Sequence, residues 1–577
     1  MPVLVEERLQ DFPQYDPITL QLAYNRGLLE KEKLALFFNE NGENGLNDPF
    51  LFQDILAACE LIIGHIKKRS KITVFGDYDA DGVTSSALLV EVLRTLKADA
   101  DAYLPHRVLE GYGVSKSAID LIAKGGTKLI ITVDNGIRGK AEIEYAKSIG
   151  IDVIVSDHHV PPPDPADLPD CLIINPAMPD EKYPDKNLSG AGVALKLVQA
   201  LVEKSTLENV QKTQLIRQSL DLSAIGTVAD CVRLIGENRT IVKDGLEILS
   251  RTKRLGLKKL IEVSKINLEK PIDSWNIGFQ IAPRLNAAGR MDHANTAYHL
   301  LLTKDLSEAE RLASELDRKN QNRQTNTEEI FNEVCSQVDP QNDLMLIGMY
   351  NLKNDKAKEE EVWNEGVIGL VAGKVANKYF RPCLVITETE EGYKGSGRSI
   401  PDFNLITAIE KCADLLDKFG GHPAACGFSL KSENIGAFIK RIQDIAQSEL
   451  SRENLRPLIQ IEAELDLSFV NQELISRVKR FEPFGQGNDR PIFASRSVRI
   501  VDIQTIGSEA RHIKLRLAGK SSGLIYALGF GQAERWKDLK INDMIDIAYH
   551  TELNVFNGHS EAQIKIIDIK KAQKNEI

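Results

Sequence analysis

The sequence predicts an α/β protein with two α/β lobes, a long helix between them and a C-terminal all-β module. Strand-like runs (KITVFG, KLIITVDNG, IDVIVSDHH and CLIINP) alternate with helical patterns, which indicates a mostly parallel sheet covered on both faces. A second α/β lobe extends from LMLIGMY to FGGHPAACGFSL. Six short alternating segments after residue 457, the first of them LIQIEAEL, are typical of a small β barrel.

The link between the two lobes is predicted to be one helix over residues 305–338. This stretch is polar, contains neither Gly nor Pro, and carries an apolar stripe in its first half. At about 1.5 Å per residue the helix would be about 50 Å long. The alternative is two shorter helices with a break at residues 320–326.

Length and composition fit a multidomain globular protein. The chain has 577 residues, enough for three or four domains of about 150 residues, and is 42% hydrophobic and 27% charged. No apolar run reaches the ~18 residues of a membrane span, and the acidic N-terminal stretch lacks the pattern of a signal peptide. Seven cysteines form no CxxC pair, so we expect reduced thiols and a cytoplasmic protein.

The charge of the chain is unevenly distributed. The net charge is −11, but residues 451–577 carry 19 Lys and Arg against 17 Asp and Glu, a net of +2. A slightly positive C-terminal module is compatible with a polyanion there, although a mixed solvated surface explains the charge equally well. The acidic excess of the rest is compatible with clustered metal-binding carboxylates.

Three carboxylates lie close together directly after the first predicted strand. Asp77, Asp79 and Asp81 fall within five residues, a concentration of charge that is unfavourable unless water or a cation neutralises it. A calcium loop would need Glu at its twelfth position, where this chain has Leu88. A solvated acidic turn is the other alternative for this motif taken alone.

Further polar residues follow the next strands. Asp134 ends the second predicted strand, and His158 and His159 end the third. Because the carboxyl ends of parallel strands meet at one edge of a sheet, these side chains should share a cavity with the first three carboxylates. Asp230, on a helix behind the sheet, could complete the wall of this cavity. Alone, a strand-end Asp often caps a helix and a lone His is often a core residue. Together they predict a metal site.

The donor types indicate which metal this site would hold. Carboxylate oxygens with one or two imidazoles suit Mn²⁺ or Mg²⁺ better than a structural Zn²⁺. More than four potential ligands predict two ions. A pair of ions bridged by one carboxylate is the usual device for in-line attack on phosphorus.

These motifs resemble the DHH phosphoesterase superfamily, in which DYDADG, TVDNG, SDHH and GTVAD occur in this order. GSGRS and GGHPAACGFS resemble its DHH-associated domain, and FEPFGQGNDRPIF with the following strands resembles the OB-fold of the RecJ exonuclease family. The resemblance covers about residues 50–570. It implies a metal-dependent exodeoxyribonuclease that degrades single-stranded DNA from the 5′ end to 5′-mononucleotides, in DNA repair and recombination.

The resemblance also implies a division of the chain and a set of partners. The expected parts are an N-terminal extension (1–50), a DHH catalytic domain (51–304), a connecting helix (305–338), a DHH-associated substrate-binding domain (339–452) and an OB-fold (453–577). The expected partners are single-stranded DNA, a single-strand-binding protein and a helicase, but no membrane. The protein is expected to be a monomer.

Residue roles carried over from the family concern metal and substrate. The implied metal ligands, with Asp134 as the bridge, are Asp77, Asp79, Asp81, Asp134, His158 and Asp230. The implied catalytic residues are Asp134, His159 and Asp81, with His159 contacting substrate or tuning the site. The implied substrate-binding residues are Arg107, Arg284, Arg290, Ser396, Arg398 and His422. Ser396 and Arg398 would bind the terminal 5′-phosphate or a nearby phosphate, and His422 would stack or hydrogen-bond at the site. Asn364 stands where many relatives have His, so its role is open.

The sequence disfavours three other functions. A DHH phosphodiesterase for short oligoribonucleotides or cyclic dinucleotides typically lacks the long β-rich C-terminus. A non-catalytic single-strand-binding replication factor should have broken ligand motifs, whereas these are intact. A manganese pyrophosphatase would have His where this chain has Phe75. The chain contains no P-loop GKS or GKT, so no use of ATP is predicted.

Overall fold

The structure, a computed structural model, describes residues 8–28, 30–38, 45–350, 362–519, 523–556 and 559–572. The chain forms two compact units, one made of Pro49–Asp230 and Gly245–Leu458, the other of Met1–Asp48, Cys231–Asp244 and Ile459–Ile577. The division into five domains stays a prediction, from which these units differ by grouping two earlier segments with the C-terminal one. Among the described helices, none combines the length and apolarity that a membrane span requires.

The helices of the described residues follow in chain order, with a π-helical turn at Ile277–Ile281 between α11 and α12. They are α1 Pro17–Asn25, α2 Lys31–Phe38, α3 Ile55–Lys67, α4 Ala80–Thr95, α5 Lys116–Lys124, α6 Lys140–Ser148, α7 Gly190–Lys204, α8 Asn209–Ala229, α9 Gly236–Leu249, α10 Leu255–Val263, α11 Ser274–Asn276, α12 Ala282–Met291, α13 Asn295–Leu302, α14 Leu306–Gln337, α15 Glu365–Tyr379, α16 Leu405–Glu410, α17 Ile435–Glu449 and α18 Gln472–Lys479.

The strands of the described residues form three sheets. They are β1 Lys71–Phe75, β2 Asp99–Tyr103, β3 Thr127–Val133, β4 Asp152–Ser156, β5 Leu172–Ile174, β6 Leu346–Met349, β7 Cys383–Thr389, β8 Gly392–Arg398, β9 Lys418–His422, β10 Ala425–Leu430, β11 Ala463–Glu464, β12 Phe493–Ile506, β13 His512–Ala518, β14 Leu524–Gly529, β15 Met544–Phe556 and β16 His559–Lys571.

The first sheet is parallel throughout and confirms the predicted class of the first lobe. Its strands run in the order β2-β1-β3-β4-β5. Helices α5 and α6 bury one face with Ile119, Ile122 and Ile143, and α4 and α7 lie against the other. Four strands were predicted. The sequence reading missed β2, since DADAY alternates charged with small residues and has no apolar run.

One continuous helix links the two lobes, which confirms the single-helix prediction and makes the two-helix alternative wrong. Helix α14 has 32 residues, so it is about 48 Å long. Asp305 caps its first turn by accepting a hydrogen bond from the Glu308 amide. At the proposed break, Asn320 is buried and accepts a hydrogen bond from Arg323, so the polar stretch continues the helix.

The second lobe is a mixed sheet between helices. Its order is β6-β7-β8-β10-β9, with only the β6–β7 pair parallel. Helix α15 buries Val367, Val371 and Val375 in a core shared with α14. Helix α17 contributes Phe438 and Ile442 to another core of this lobe.

The C-terminal strands close a barrel, as predicted. Strands β12, β13, β14, β16 and β15 pair in that order, and β12 pairs again with β15. The core of this unit includes Phe481 and Phe493 together with Leu20 of α1. The predicted first strand is mostly irregular, since only Ala463–Glu464 pairs with β12.

Candidate metal centre and substrate site

The first acidic motif forms the turn between β1 and α4. Asp79 is the N-cap of α4 and accepts hydrogen bonds from the amides of Asp81 (3.0 Å) and Gly82 (3.1 Å). Asp77 is buried, and its Oδ1 has no hydrogen-bond partner in the described part of the chain. A buried carboxylate oxygen without a donor is what a cation site requires, because the ion supplies the missing positive charge.

Asp81 lies against the N-terminus of α7. Its two carboxylate oxygens accept hydrogen bonds from the amides of Gly190 (2.7 Å) and Ala191 (2.9 Å), where the helix dipole favours negative charge. Gly226 of α8 leaves the space for this carboxylate, because a Cβ atom there would lie 2.5 Å from Asp81 Oδ1. Asp81 is thus held rigidly between two helices.

Asp134 follows β3 in a left-handed backbone conformation, with φ of 63°. Gly190 packs directly against it, since a Cβ atom on Gly190 would lie 2.6 Å from Asp134 Cβ and 2.8 Å from Oδ1. His158 Nε2 lies 3.0 Å from Asp134 Oδ1 and 3.6 Å from Oδ2 of Asp230, the residue that ends α8. The strand-end geometry therefore brings these residues together.

All six predicted metal ligands and His159 belong to one cluster. Their ligand atoms form three groups whose members lie within 4.8 Å of one another: Asp77 with Asp79 and Asp134, Asp81 with His158 and Asp230, and Asp134 with both histidines. Asp134 and His158 each occur in two groups. Overlapping oxygen-rich groups fit two neighbouring divalent cations with Asp134 between them. The individual roles stay predictions.

The acidic cluster is electrostatically unfavourable by itself. Burial, reinforced by the charge of Asp79, raises the pKa of Asp81 to about 7. Burial and the charge of Asp81 raise the pKa of Asp230 to about 9 and hold the pKa of Asp134 well above its ordinary value. Burial and the charge of His159 lower the pKa of His158 to about 4, so this imidazole is neutral at pH 7, the form that binds metal. Divalent cations would restore the ionised carboxylates.

Asp157 holds His158 and His159 in place through hydrogen bonds. It is fully buried and accepts hydrogen bonds from the amides of His158 (2.7 Å) and Ile137 (3.0 Å), and its Oδ1 lies 2.7 Å from His159 Nδ1. Burial works to lower the pKa of His159, but Asp157 outweighs it and raises this pKa to about 9. Asp157 has no predicted role in the sequence, because a buried supporting carboxylate is marked there only by its place beside the histidines.

Tyr112 is a further residue that the sequence analysis missed. Its hydroxyl lies 3.2 Å from His159 Nδ1 and donates a hydrogen bond to the Asp134 carbonyl at 3.3 Å. Tyr112 follows the loop that contains Arg107. The guanidinium carbon of Arg107 lies over the ring of Tyr78, 4.6 Å from the ring centroid. In the sequence, an isolated aromatic residue in a Gly-rich loop does not indicate that its side chain lies beside the metal cluster.

Arg290 interacts electrostatically both with Asp79 of the acidic cluster and with three other arginines. Burial, reinforced by the charges of Arg107, Arg323 and Arg398, lowers the pKa of Arg290 to about 9, while Asp79 acts in the opposite direction. Arg290 also donates a hydrogen bond to the carbonyl of Gly366 at the start of α15 (2.9 Å). A group of arginines whose positive charges interact in this way favours a bound anion such as phosphate.

The GSGRS motif contributes from β8. Arg398 Nη1 lies 3.4 Å from Ser396 Oγ and donates a hydrogen bond to the Gly397 carbonyl (2.8 Å). Gly369 of α15 permits this arrangement, because a Cβ atom there would lie 2.9 Å from Ser396 Oγ. The predicted phosphate-binding residues Arg107, Arg290, Ser396 and Arg398 thus lie on elements that meet at one place.

Two of the predicted substrate-binding residues, Arg284 and His422, do not lie with these four. Arg284 Nη2 forms an ion pair with Asp317 of α14 at 2.8 Å, and its Nη1 donates to the Gln280 carbonyl, so its guanidinium is already engaged. His422 is exposed on β9 and pairs with Ala425, which in turn pairs with Arg398. Two strand spacings put the His422 backbone about 10 Å from that of Arg398.

Three family models match the chain: the DHH family, N-terminal domain, at residues 71–227, the DHHA1 domain at 352–448, and the RecJ OB domain at 461–568. The matches follow the order of the parallel sheet, the mixed sheet and the barrel.

Relatives match along almost the entire chain. A protein of Bacillus subtilis named single-stranded-DNA-specific exonuclease RecJ is 37% identical over 96% of this chain and 68% of its own length. The protein of the same name from Salmonella typhimurium is 33% identical over 96% of each chain. Among solved structures, RecJ of Thermus thermophilus in complex with Mn²⁺ superposes with a TM-score of 0.82 at 28% identity, covering 99% of this chain and 78% of that one.

Proposed function

The chain belongs to the RecJ family of single-stranded-DNA-specific exonucleases, and from this premise we propose that it hydrolyses single-stranded DNA from the 5′ end, releasing 5′-mononucleotides, in DNA repair and recombination. The observation that carries the proposal is the convergence of six metal-ligand candidates with a cluster of arginines in one compact unit. The protein is thus a metal-dependent exodeoxyribonuclease.

Two Mn²⁺ or Mg²⁺ ions are the proposed cofactors. The orphaned oxygen of Asp77 and the raised pKa values of Asp81, Asp134 and Asp230 support this proposal. The solved complexes of Thermus thermophilus RecJ with Mn²⁺ and with Mg²⁺ support it as well. Bound there, the ions would activate water and stabilise charge on the phosphate oxygens. The proposed ligands are Asp77, Asp79, Asp81, Asp134, His158 and Asp230.

Protein side chains would position the strand for this reaction. Arg398 and Ser396, with Arg107 and Arg290, bind the 5′-terminal phosphate, which fixes the first nucleotide relative to the metal ligands. Tight confinement of that phosphate explains why the enzyme acts on ends. His422 and Arg284 would take part only after moving toward the strand.

His159 is the proposed proton donor. Its raised pKa keeps the imidazole protonated at pH 7, and because Nδ1 is engaged by Asp157, Nε2 is the nitrogen available to substrate. The bond between phosphorus and the 3′ oxygen of the first nucleotide breaks, so the Nε2 proton would go to that oxygen or stabilise its charge.

The barrel is the proposed second contact with the strand. Lys514 Nζ lies 4.3 Å from the ring centroid of Tyr526, and Phe530 is 51% exposed with Lys565 Nζ 5.8 Å from its centroid. Alternating cations and aromatic rings suit a single strand, which they bind through phosphates and bases together. Phe481 and Phe493, by contrast, are fully buried and belong to the core.

Several finer points also belong to the proposal. The protein would act as a monomer in the cytoplasm, in concert with a single-strand-binding protein and a helicase. All seven cysteines are free thiols, which supports a reducing compartment. We retain the five-part division predicted from the sequence as a description of function. Residues 51–304 would supply the metal ligands, and residues 339–452 would supply the remaining phosphate-binding residues.

The test uses end-labelled strands. A 5′-phosphorylated single-stranded DNA, its duplex and the matching RNA are incubated with Mn²⁺, Mg²⁺ or EDTA. Mononucleotides should appear from the 5′ end of the single-stranded DNA alone, and only with metal. Asp134→Ala should abolish cleavage with an unchanged circular dichroism spectrum. Equal degradation of the duplex, preference for RNA, or activity in EDTA would contradict the proposal.

A further inference from the structure

Two large aromatic side chains are exposed next to each other on the catalytic unit. Trp275 is 55% exposed and Phe279 is 67% exposed. Their ring centroids lie 5.4 Å apart, and the ring planes differ by only 22°. Exposed apolar surface of this kind commonly marks a binding site.

The backbone under the two rings is firmly held. Asp273 and Asn276 cap each other's backbone amides at the start of α11, both at 2.9 Å. Asn276 Nδ2 donates to Gln280 Oε1 at 2.7 Å, and Gln280 donates to the Ser264 carbonyl at 3.1 Å. Trp275 lies just before the π-helical turn Ile277–Ile281 and Phe279 lies within it, and such a distortion often occurs at functional sites.

The same segment continues into the helix that contacts the metal motif. In α12, Asn286 Oδ1 accepts a hydrogen bond from the Ala80 amide at 2.8 Å, and Gly289 packs so closely on the Tyr78 carbonyl that a Cβ atom would lie 2.5 Å from its oxygen. Seven residues separate Phe279 from Asn286, about 10 Å along a helix axis. That distance equals about three nucleotides at 3.4 Å each.

The aromatic pair is also close to the other side of the metal cluster. A Cβ atom on Gly278, between the two rings, would lie 3.8 Å from Val228 Cγ1 in α8. Val228 stands two residues before Asp230. The segment that carries the two rings therefore packs against the helix that ends at the metal-ligand candidate Asp230.

We propose that Trp275 and Phe279 form a base-stacking platform for the single strand on the 3′ side of the cleaved bond. The inference rests on the proposed function. Nucleobases stack on exposed rings whatever their sequence, which suits an exonuclease that must accept every base. The platform would hold the strand between successive cleavages, so it would act on long strands more than on short ones.

The size of the patch favours nucleobases over a protein partner. A fully buried aromatic residue contributes about 150–250 Å². At their observed exposure the two rings offer at most about 300 Å² together, well below the roughly 800 Å² per partner of a stable protein interface. Two bases need no more area than this.

Binding to a fluorescent 12-nucleotide dT strand in EDTA, measured by anisotropy, tests the platform without hydrolysis. The double variant W275A/F279A should bind at least about 25-fold more weakly, since stacking contributes at least about fivefold for each of two bases. The aromatic exchange W275F/F279Y should retain most of the affinity, whereas W275L/F279L, which keeps apolar bulk, should not. Leu121→Ala, which removes another exposed apolar side chain (59%) of the same unit, should have no effect.

A strand with abasic sites at its third to sixth nucleotides gives the second readout. The wild type should bind it about as weakly as W275A/F279A binds the intact strand, and the variant should lose little more. Equal affinity of wild type and W275A/F279A for the intact strand would overturn the inference, as would full affinity of the Leu variant, which would point to an apolar docking site instead. Failure of the wild type to degrade any single strand would instead refute the proposed function.

Discussion

The metal-free protein should lose stability between pH 7 and pH 9, and Mn²⁺ should cancel that loss. Asp230 makes one of the two largest contributions, together with His159, because burial and the charge of Asp81 raise its pKa from 3.8 to about 9. In the unfolded chain the carboxyl group is ionised at both pH values. In the folded protein it must release a proton over this interval, so the free energy of unfolding falls as the pH rises.

The expected size follows from the two pH units. Over each pH unit below the folded-state pKa, the free energy of unfolding falls by about 1.4 kcal/mol. Because the carboxyl group is already half ionised at pH 9, the total fall from pH 7 to pH 9 is about 2 kcal/mol for Asp230. Asp81, with a pKa of about 7, and His159, with a pKa of about 9, act in the same direction. His158 has a pKa of about 4 and adds almost nothing in this interval.

Thermal unfolding in EDTA and in Mn²⁺, at half-unit steps of pH, measures the effect. The unfolding temperature in EDTA should fall by a few degrees from pH 7 to pH 9, whereas Mn²⁺ should flatten the curve because it binds the ionised carboxylates. Asp230→Asn, which keeps the size of the side chain, should remove about half of the slope in EDTA, because the His159 contribution remains. A flat or rising curve for the metal-free wild type, or an unchanged slope in the variant, would refute the reasoning.

Three further predictions concern single side chains. Gly190→Ala should lower Mn²⁺ affinity about 10- to 100-fold, because its methyl would lie 2.6 Å from Asp134 Cβ; calorimetric titration measures this, and normal affinity would count against the packing argument. Asp157→Asn should let the pKa of His159 fall from about 9, moving the alkaline limb of the pH–rate profile to lower pH, and an unmoved limb would exclude His159 as proton donor. Arg398→Lys should weaken binding of a 5′-phosphorylated strand about tenfold but leave a 5′-hydroxyl strand nearly unaffected, and equal losses would reject the phosphate assignment.

The predictable part of the site follows from sheet geometry. Asp134 and His158 could be placed together because parallel strands end at one edge, and both strands are short apolar runs that read clearly in the sequence. Asp77 and Asp81 were visible because so many carboxylates in one turn call for a counter-charge.

The unpredictable part depends on contacts between distant segments. Asp157 and Tyr112 support the histidines, but nothing in their neighbourhood along the chain distinguishes them from ordinary strand-end and loop residues. Arg284 looked equivalent to Arg290 in the sequence, yet an acidic partner on α14 engages only Arg284. Strand β2 escaped notice since its pairing with β1 makes up for a poor intrinsic pattern.

The unit that contains the barrel has a consequence for synthesis on the ribosome. Phe12, Tyr15 and Leu20 share a hydrophobic core with residues after 459, which emerge from the ribosome more than four hundred residues later. At about 5–20 residues per second, that delay is roughly 20 to 80 s. Until then these three apolar side chains lack the core that buries them, so we expect chaperones to bind this segment during synthesis. A product truncated before residue 459 would expose the segment permanently.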